Sequence, residues 1–464
     1  MFEPQIYQAR RNALREEIKS GVLLFPGNTE AAFNYPANTY HFRQDSVFNY
    51  FFGLNHPDLT GVIDIDNNEE ILFGNDVDMD DIIWMGPQPS IKERAALVGI
   101  NDTKPFADAV EFINKAIAKG RKVHILPPYR GETKIYLSEL TGFPIADLKK
   151  EASVELIRAV VKLRCTKSPE EIEIIDKMVD VAYLMHTTAM KMAVPGIIEQ
   201  EIAGTIEGIA LAKAGPVSFP VILSINGQTL HNHYHGNTLT EGRMLVVDAG
   251  CESEEYLLAS DITRTTPVGG KFSHRQREIY EIVLRANMKS IENIKPGIPY
   301  RDVHLLACKT IVEGLKEAGL MKGDVNEAVE QGAHGLFLPH GLGHMLGMDV
   351  HDMEGLGENY VGYDDEIKRS TQFGNSFLRM GRRLQPGFVI TVEPGIYFIP
   401  ALIDQWKAEG KCKDFINYDI LETYKDFGGI RIEDDVLVTT TGSRVLGKPI
   451  PKTVAEIEKL LYRG

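Results

Sequence analysis

Residues 339–352 read PHGLGHMLGMDVHD, placing His340, His344 and His351 beside Asp349 and Asp352, with Gly341, Gly343 and Gly347 between them. Imidazoles and carboxylates crowded into so short a stretch are the donors from which metal and proton-transfer sites are built. A lone histidine in apolar surroundings is more often a hydrogen-bonded core residue, so the stretch alone leaves open which of the three bind and which pack. The glycines do not form a nucleotide loop, because the G-x-G-x-x-G spacing fails and no phosphate-binding helix start follows. They read as places where backbone comes close to a metal-binding histidine.

Four acids elsewhere share a setting that packing does not require. Asp248 ends the apolar run of MLVVDAG, Glu393 that of VITVEPG, Glu433 sits in GIRIEDD, and Asp261 in YLLASDITRT. Each singly reads equally well as a strand-end acid facing solvent or paired with arginine. A carboxylate in an apolar strand costs on the order of several kcal/mol unless it is paired or bound to metal. Gathered in one pocket, the four would repel one another unless roughly four positive charges lay among them, and two divalent cations supply that charge. One imidazole from the histidine-rich stretch would complete a set of hard oxygen ligands suited to Mn²⁺, with zinc, cobalt and iron as alternatives. Two such ions roughly 3.5–4 Å apart can share a hydroxide and polarise a carbonyl, which makes hydrolysis the natural chemistry.

The rest of the chain frames this site. Its 464 residues exceed one ordinary core, and the division is expected at 155/156, just ahead of a long amphipathic helix. Ser168, Pro169 and Glu171 mark that helix's start, and Pro195-Gly196 its end. Residues 1–155 alternate short apolar runs (GVLLFPG, GVIDID, KVHILPP) with helical stretches and predict an α/β domain. Residues 156–464 separate strands by helices and long loops and predict an α+β domain. A formal charge of −15 argues against nucleic acid and anionic membrane surfaces. The N-terminus lacks a signal-peptide core and no run reaches membrane-span length. Cys165, Cys251, Cys308 and Cys412 lack metal-ribbon or redox spacing and read as reduced thiols in a cytoplasm.

HGLGHMLGMDVHD, TVEPGIYF and GIRIEDDVLVT, in that order behind VVDAG and SDITRT, resemble the pita-bread metallopeptidases of the prolidase and aminopeptidase P branch. FRQDSVFNYFFGLNHPD resembles the same enzymes' N-terminal domain. The resemblance implies a pita-bread catalytic domain and an enzyme that cleaves before proline in di- or oligopeptides. It makes Asp248, Asp261, His344, Glu393 and Glu433 the ligands of two metals, with Asp261 and Glu433 bridging and Glu393 also the general base. His340 and His351 resemble pocket histidines that contact substrate, and Arg431 an active-site arginine expected to bind substrate. In LHNHYHGN, His233, Tyr234 and Asn237 resemble an H-Y-x-x-N element whose histidine aids proton transfer, with His231 as the competing candidate. One departure is the interval from Asp248 to Asp261, two residues longer than the family leads one to expect, which a longer hairpin loop would absorb.

Arg379 in FLRMGRRLQPG resembles the prolidase arginine that pairs with a dipeptide's free carboxylate, and the long segment between Glu393 and Glu433 is associated with prolidases. Both lean the expectation toward Xaa-Pro dipeptidase over Xaa-Pro aminopeptidase. The remote alternative, a non-enzymatic pita-bread binding protein, would typically have lost metal ligands. The resemblance also implies a homodimer or homotetramer.

Overall fold

In the computed structural model, which describes residues 1–462, the apolar run of Val22–Pro26 lies inside a five-stranded sheet. Its order is Asp102–Lys104, Glu69–Phe73, Thr60–Asp64, Val22–Pro26, Val123–His124. The inner pairs are antiparallel and the outer two parallel. Side chains at every second position, Val22 and Leu24, Ile71 and Phe73, meet Ala109, Ile113 and Ala116 of the helix Asp108–Ala118. Two periodicities, two for the strands and between three and four for the helix, thus converge on one core, and the first region is an α/β fold.

By packing, the chain forms two compact units, Met1–Arg164 with Met353–Tyr360, and Cys165–Asp352 with the described residues from Val361 onward. Helix Val154–Cys165 falls almost wholly with the first. The second opens on the helix Pro169–Met192. There the Ser168 amide donates to Glu171 Oε2 at 2.9 Å and the Glu171 amide to Ser168 Oγ at 3.3 Å. The reciprocal pair satisfies two amide groups that a helix start leaves open. Met178, Met185 and Ala189 of this helix bury against Leu245 and Val247 of the strand Met244–Ala249.

That strand is the centre of a sheet ordered Ile262–Pro267, Met244–Ala249, Ile222–Ser224, all antiparallel. Its register sets Asp248 opposite Thr263. Between them the chain turns at residues 254–256, and Glu252 bridges Ala259. The extra length of this interval is therefore spent away from both aspartates.

The segments VITVEPGIYF and GIRIEDDVLVTT are not continuous strands. Val389–Val392 pairs with Asp434–Val438, and Gly395–Tyr397 pairs with Gly429–Arg431. Each segment thus changes sheet, one at Glu393-Pro394 and the other at Ile432-Glu433. Pro394 has no amide to continue a ladder. Asn287, fully buried on the helix His274–Asn293, directs its Nδ2 to Val392 O at 3.1 Å and Ile432 O at 3.4 Å. One side chain therefore ties together the backbone just before each acid.

Arg264 braces the same junction. Its guanidinium donates to Glu433 O at 2.6 Å, Thr263 O at 2.9 Å and Asp434 Oδ1 at 2.7 Å. Lys452 Nζ reaches Asp434 Oδ2 at 2.7 Å. Burial alone would raise the Asp434 carboxyl, but Arg264 and Lys452 outweigh it and hold the group below the usual carboxylate range. The pairing thus stabilises the fold above about pH 4, and that stability is lost as pH falls through the depressed folded value. Asp434→Asn should lower unfolding stability by about 3 kcal/mol at neutral pH, because it leaves Arg264 buried without its counter-charge. Denaturant titrations at pH 7 and pH 3 check this: the difference between the two proteins must shrink at the lower pH.

Candidate metal centre

The two broken segments and the hairpin bring four carboxylates and one imidazole together. Asp261, His344 and Glu433, all buried, each offer a ligand atom within 4.8 Å of the others. His344 Nε2 lies 3.4 Å from Asp261 Oδ2 and 3.6 Å from Glu393 Oε1. Asp248 joins through its electrostatic coupling to Asp261, Glu393 and Glu433.

His344 is placed by backbone. Its amide donates to Thr391 Oγ1 at 3.1 Å, its carbonyl accepts from the Thr391 amide at 3.0 Å, and Met345 bridges Ile390. The glycine of this turn has a steric cause: a Cβ at Gly343 would stand 2.1 Å from Thr391 O. The close approach is to the strand backbone and not to an imidazole.

The protonation pattern points to cations. His344 Nδ1 lies 3.0 Å from the Met345 carbonyl, which only an N–H can satisfy, so Nε2 is the nitrogen turned toward the two carboxylates. Burial alone would lower the ring, but its contact with Asp261 and the charge of Glu393 raise it above its ordinary value, so Nε2 calls for a proton or a metal ion between it and the oxygens. Asp248 Oδ1 and Asp261 Oδ1 are buried with no hydrogen-bond partner among the described residues. Burial, with Asp248 nearby, lifts Asp261 to about 6 despite its contact with His344. Burial also lifts Glu393 to about 7, and burial with the charges of Asp261 and Glu393 lifts Glu433 well above the carboxylate range. Arg431 returns one positive charge, 2.6 Å from Asp248 Oδ2. Four carboxylates against one guanidinium leave a deficit that divalent cations fit, and the hard oxygen set with one nitrogen suits first-row metals.

Residues 173–440 match the metallopeptidase family M24, and residues 7–126 match the aminopeptidase P N-terminal domain. The chain belongs to metallopeptidase family M24. It is 33% identical over 428 residues to a human Xaa-Pro dipeptidase, covering 90% of this chain and 84% of that one. It is 35% identical over 425 residues to a probable Xaa-Pro aminopeptidase of Fusarium vanettenii, covering 90% and 87%. Among solved structures, a Pseudomonas aeruginosa aminopeptidase superposes with a TM-score of 0.81 at 29% identity, covering 99% and 98% of the two chains. An Escherichia coli aminopeptidase P variant in complex with substrate gives 0.80 at 30% identity, with the same coverage. The M24 region carries the pita-bread fold, and the chain is a metal-dependent peptidase.

Around the M24 centre the remaining residues named from sequence separate into two groups. Arg431, 4% exposed, is fully engaged: Nη2 donates to Asp248, Nη1 to Tyr397 Oη at 2.9 Å and Nε to Thr263 Oγ1 at 3.1 Å. Thr263 Oγ1 in turn donates to Glu433 Oε2 at 2.7 Å. Tyr397 Oη accepts from Arg431, which leaves its proton for His340 Nε2 at 2.9 Å, while His340 Nδ1 donates to Gly341 O at 2.7 Å. Burial, then Arg431, holds His340 neutral by lowering it to about 3. Both ring nitrogens of His340 are therefore occupied within the protein.

The second group faces the open side. The His351 ring packs edge-on against His344 with centroids 4.4 Å apart, and burial, His344 and Arg379 lower it to about 2. His231 is lowered by burial and then by Arg431, with Asp248, His233 and Arg379 also acting on it. His231 and His233 are both exposed, and of the two it is His231 whose charge is felt at His340 and His351. Asn237 Nδ2 donates to buried Glu199 at 2.8 Å and so anchors the loop. Sequence reading did not single out Tyr397 or Thr263, whose only signal is their position two to four residues from a ligand.

Tyr397→Phe removes the hydroxyl shared by His340 and Arg431 and leaves the carboxylates in place. Peptidase kcat should fall about tenfold, with bound metal unchanged, matching the loss of roughly 1.4 kcal/mol expected for one hydrogen bond to a charged partner. An unchanged kcat would show that the link carries nothing to the site.

Proposed function

We propose that this M24 enzyme hydrolyses the peptide bond before proline and acts first as an Xaa-Pro dipeptidase. The observation that carries the reading is His344 Nε2 facing both Asp261 and Glu393 within one cluster of carboxylates. Asp248, Asp261, His344, Glu393 and Glu433 would hold two divalent ions, Mn²⁺ in our reading. Bound there, the ions would acidify a water molecule and polarise the scissile carbonyl. Glu393 takes the proton from that water: its side chain is 19% exposed, against 6% for Asp261, so it faces the open side of the cluster. His351, and His231 in preference to His233, donate hydrogen bonds to the carbonyl oxygen as it gains negative charge. His340 acts by keeping Tyr397 and Arg431 in line behind Asp248, and Arg431 thereby serves the ligand in place of the substrate.

Arg379 supports the dipeptidase reading, because its positive charge acts on both His231 and His351. A guanidinium at that edge would pair with the free carboxylate of a short substrate. Aminopeptidase action on longer peptides is the second reading, favoured by the likeness to solved aminopeptidases P. Ala-Pro should be cleaved well and Ala-Pro-Gly-Gly poorly, and Arg379→Ala should lose roughly 2 kcal/mol, about 30-fold in kcat/KM, on Ala-Pro alone. Efficient release of alanine from the tetrapeptide, untouched by the substitution, would decide for the aminopeptidase. Cleavage of neither by metal-loaded enzyme would overturn the Xaa-Pro reading.

Localisation and assembly belong to the same proposal. The free thiols of Cys251, Cys308 and Cys412 support a reducing, cytoplasmic setting, and no described helix is long and apolar enough to cross a membrane. Phe33, Tyr35, Tyr40, Ile83 and Trp84 are exposed on the N-terminal unit, supporting self-association into a dimer or tetramer. Fractionation of the source cells followed by native mass spectrometry weighs copies and metal together. An even-numbered assembly carrying manganese in the cytoplasmic fraction is the expected result, and a metal-free or monomeric particle would contradict it.

A further inference from the structure

The stretch that carries His344 and His351 is fastened in two different ways. From His344 to Leu346 it runs against the strand Val389–Val392: the Thr391 amide donates to His344 O at 3.0 Å, Met345 bridges Ile390, and the Leu346 amide donates to Val389 O at 3.0 Å. From Gly347 on, its hydrogen bonds go elsewhere. Gly347 O accepts from the Ala259 amide at 2.9 Å, and the Asp352 amide turns back to Met345 O at 2.9 Å. His344 thus sits on a ladder, whereas His351 sits on a loop.

One charged contact closes that loop. Lys167 Nζ donates to Asp352 Oδ2 at 2.9 Å, with the two side chains only 2% and 1% exposed. Asp352 Oδ1 also receives the Asp349 amide at 3.4 Å, so one carboxylate spans the turn in which His351 lies. Lys167 is itself fixed, because its amide donates to Gly387 O at 2.8 Å, two residues ahead of the strand that holds His344. The sequence leaves room for the pair: a Cβ at Gly347 would stand 2.5 Å from Asp352 Oδ2 and 2.9 Å from Lys167 Cε. A buried ion pair adds little net stability, since desolvating both charges offsets most of their attraction, and it holds only in good geometry. Directly beside a residue of the site, such a pair points to placement.

We propose that Lys167 and Asp352 are positioning residues of the peptidase. The pair sets the backbone at Asp352 and so aims the neighbouring His351 imidazole at the carbonyl oxygen of the scissile bond, while the metal ligand His344 is placed independently by its strand. The inference rests on the role given to His351 above. The His351 ring lies 4.4 Å from that of His344, centroid to centroid. Loosening the loop by about 1 Å would take its donor out of hydrogen-bond reach, a misplacement that costs on the order of 100-fold in rate at its fullest.

Removing one charge leaves the other buried alone and endangers the fold, so the informative variant removes both, Lys167→Met with Asp352→Asn. In metal-loaded enzyme acting on Ala-Pro or Ala-Pro-Gly-Gly, this double variant should lower kcat about tenfold and shift KM less than about twofold, with metal content and thermal midpoint close to wild type. His351→Ala alone should lower kcat about 100-fold. Adding the double substitution to it should change kcat by less than about twofold, because both act through one ring. Effects that multiply, loss of metal, or an unchanged kcat in the double variant would overturn the proposal. A kcat that His351→Ala leaves intact would overturn the role of His351 itself, and the positioning with it. A crystal structure of the double variant tests the placement without substrate: His351 should be displaced from His344 while His344 and the carboxylates stay, and an unmoved His351 would overturn the proposal whatever peptide is cleaved.

Discussion

Four carboxylates that must stand within reach of one another, three of them buried, are the constraint around which the M24 unit is arranged. Asp248, Asp261, Glu393 and Glu433 lie on three separate segments, and their like charges would drive those segments apart if packing alone held them. The fold answers in layers. Arg431 holds Asp248, Thr263 holds Glu433, and Arg264 grips the backbone carbonyls of Thr263 and Glu433 from behind. What these contacts leave unmatched, two orphaned carboxylate oxygens beside His344 Nε2, is the opening that cations would fill. Binding capacity here is the residue of incomplete internal compensation.

Part of this was legible in the sequence because it is local. The Ser168/Glu171 start of the long helix and the apolar alternation of Val22–Pro26 and Glu69–Phe73 are set by neighbours a few residues away. Separated motifs in fixed order were enough to assign the family, whereas the strand changes at Glu393 and Ile432-Glu433 were not visible. An apolar run looks the same whether it stays in one sheet or leaves for another, and only the pairing of Gly395–Tyr397 with Gly429–Arg431 reveals the switch. The histidine loop was ambiguous for a similar reason. His231 and His233 both lie in an irregular stretch, where no periodicity says which ring turns inward.

Arg431 stands in the sequence only through its resemblance to an active-site arginine, and its buried partners Asp248, Tyr397 and Thr263 arrive from other segments of the chain.

Asn287 deserves a last consequence. By holding the carbonyls of Val392 and Ile432 with one amide, it makes the two acids that follow a single mechanical part, although some forty residues of chain loop out between them. The part of that segment between Tyr397 and Gly429, with its helix Pro400–Glu409, can therefore lengthen, shorten or change sequence without disturbing the spacing of Glu393 and Glu433. The fold in effect gives one loop an open licence to diversify, and the clamp that grants it sits on a helix the loop does not include.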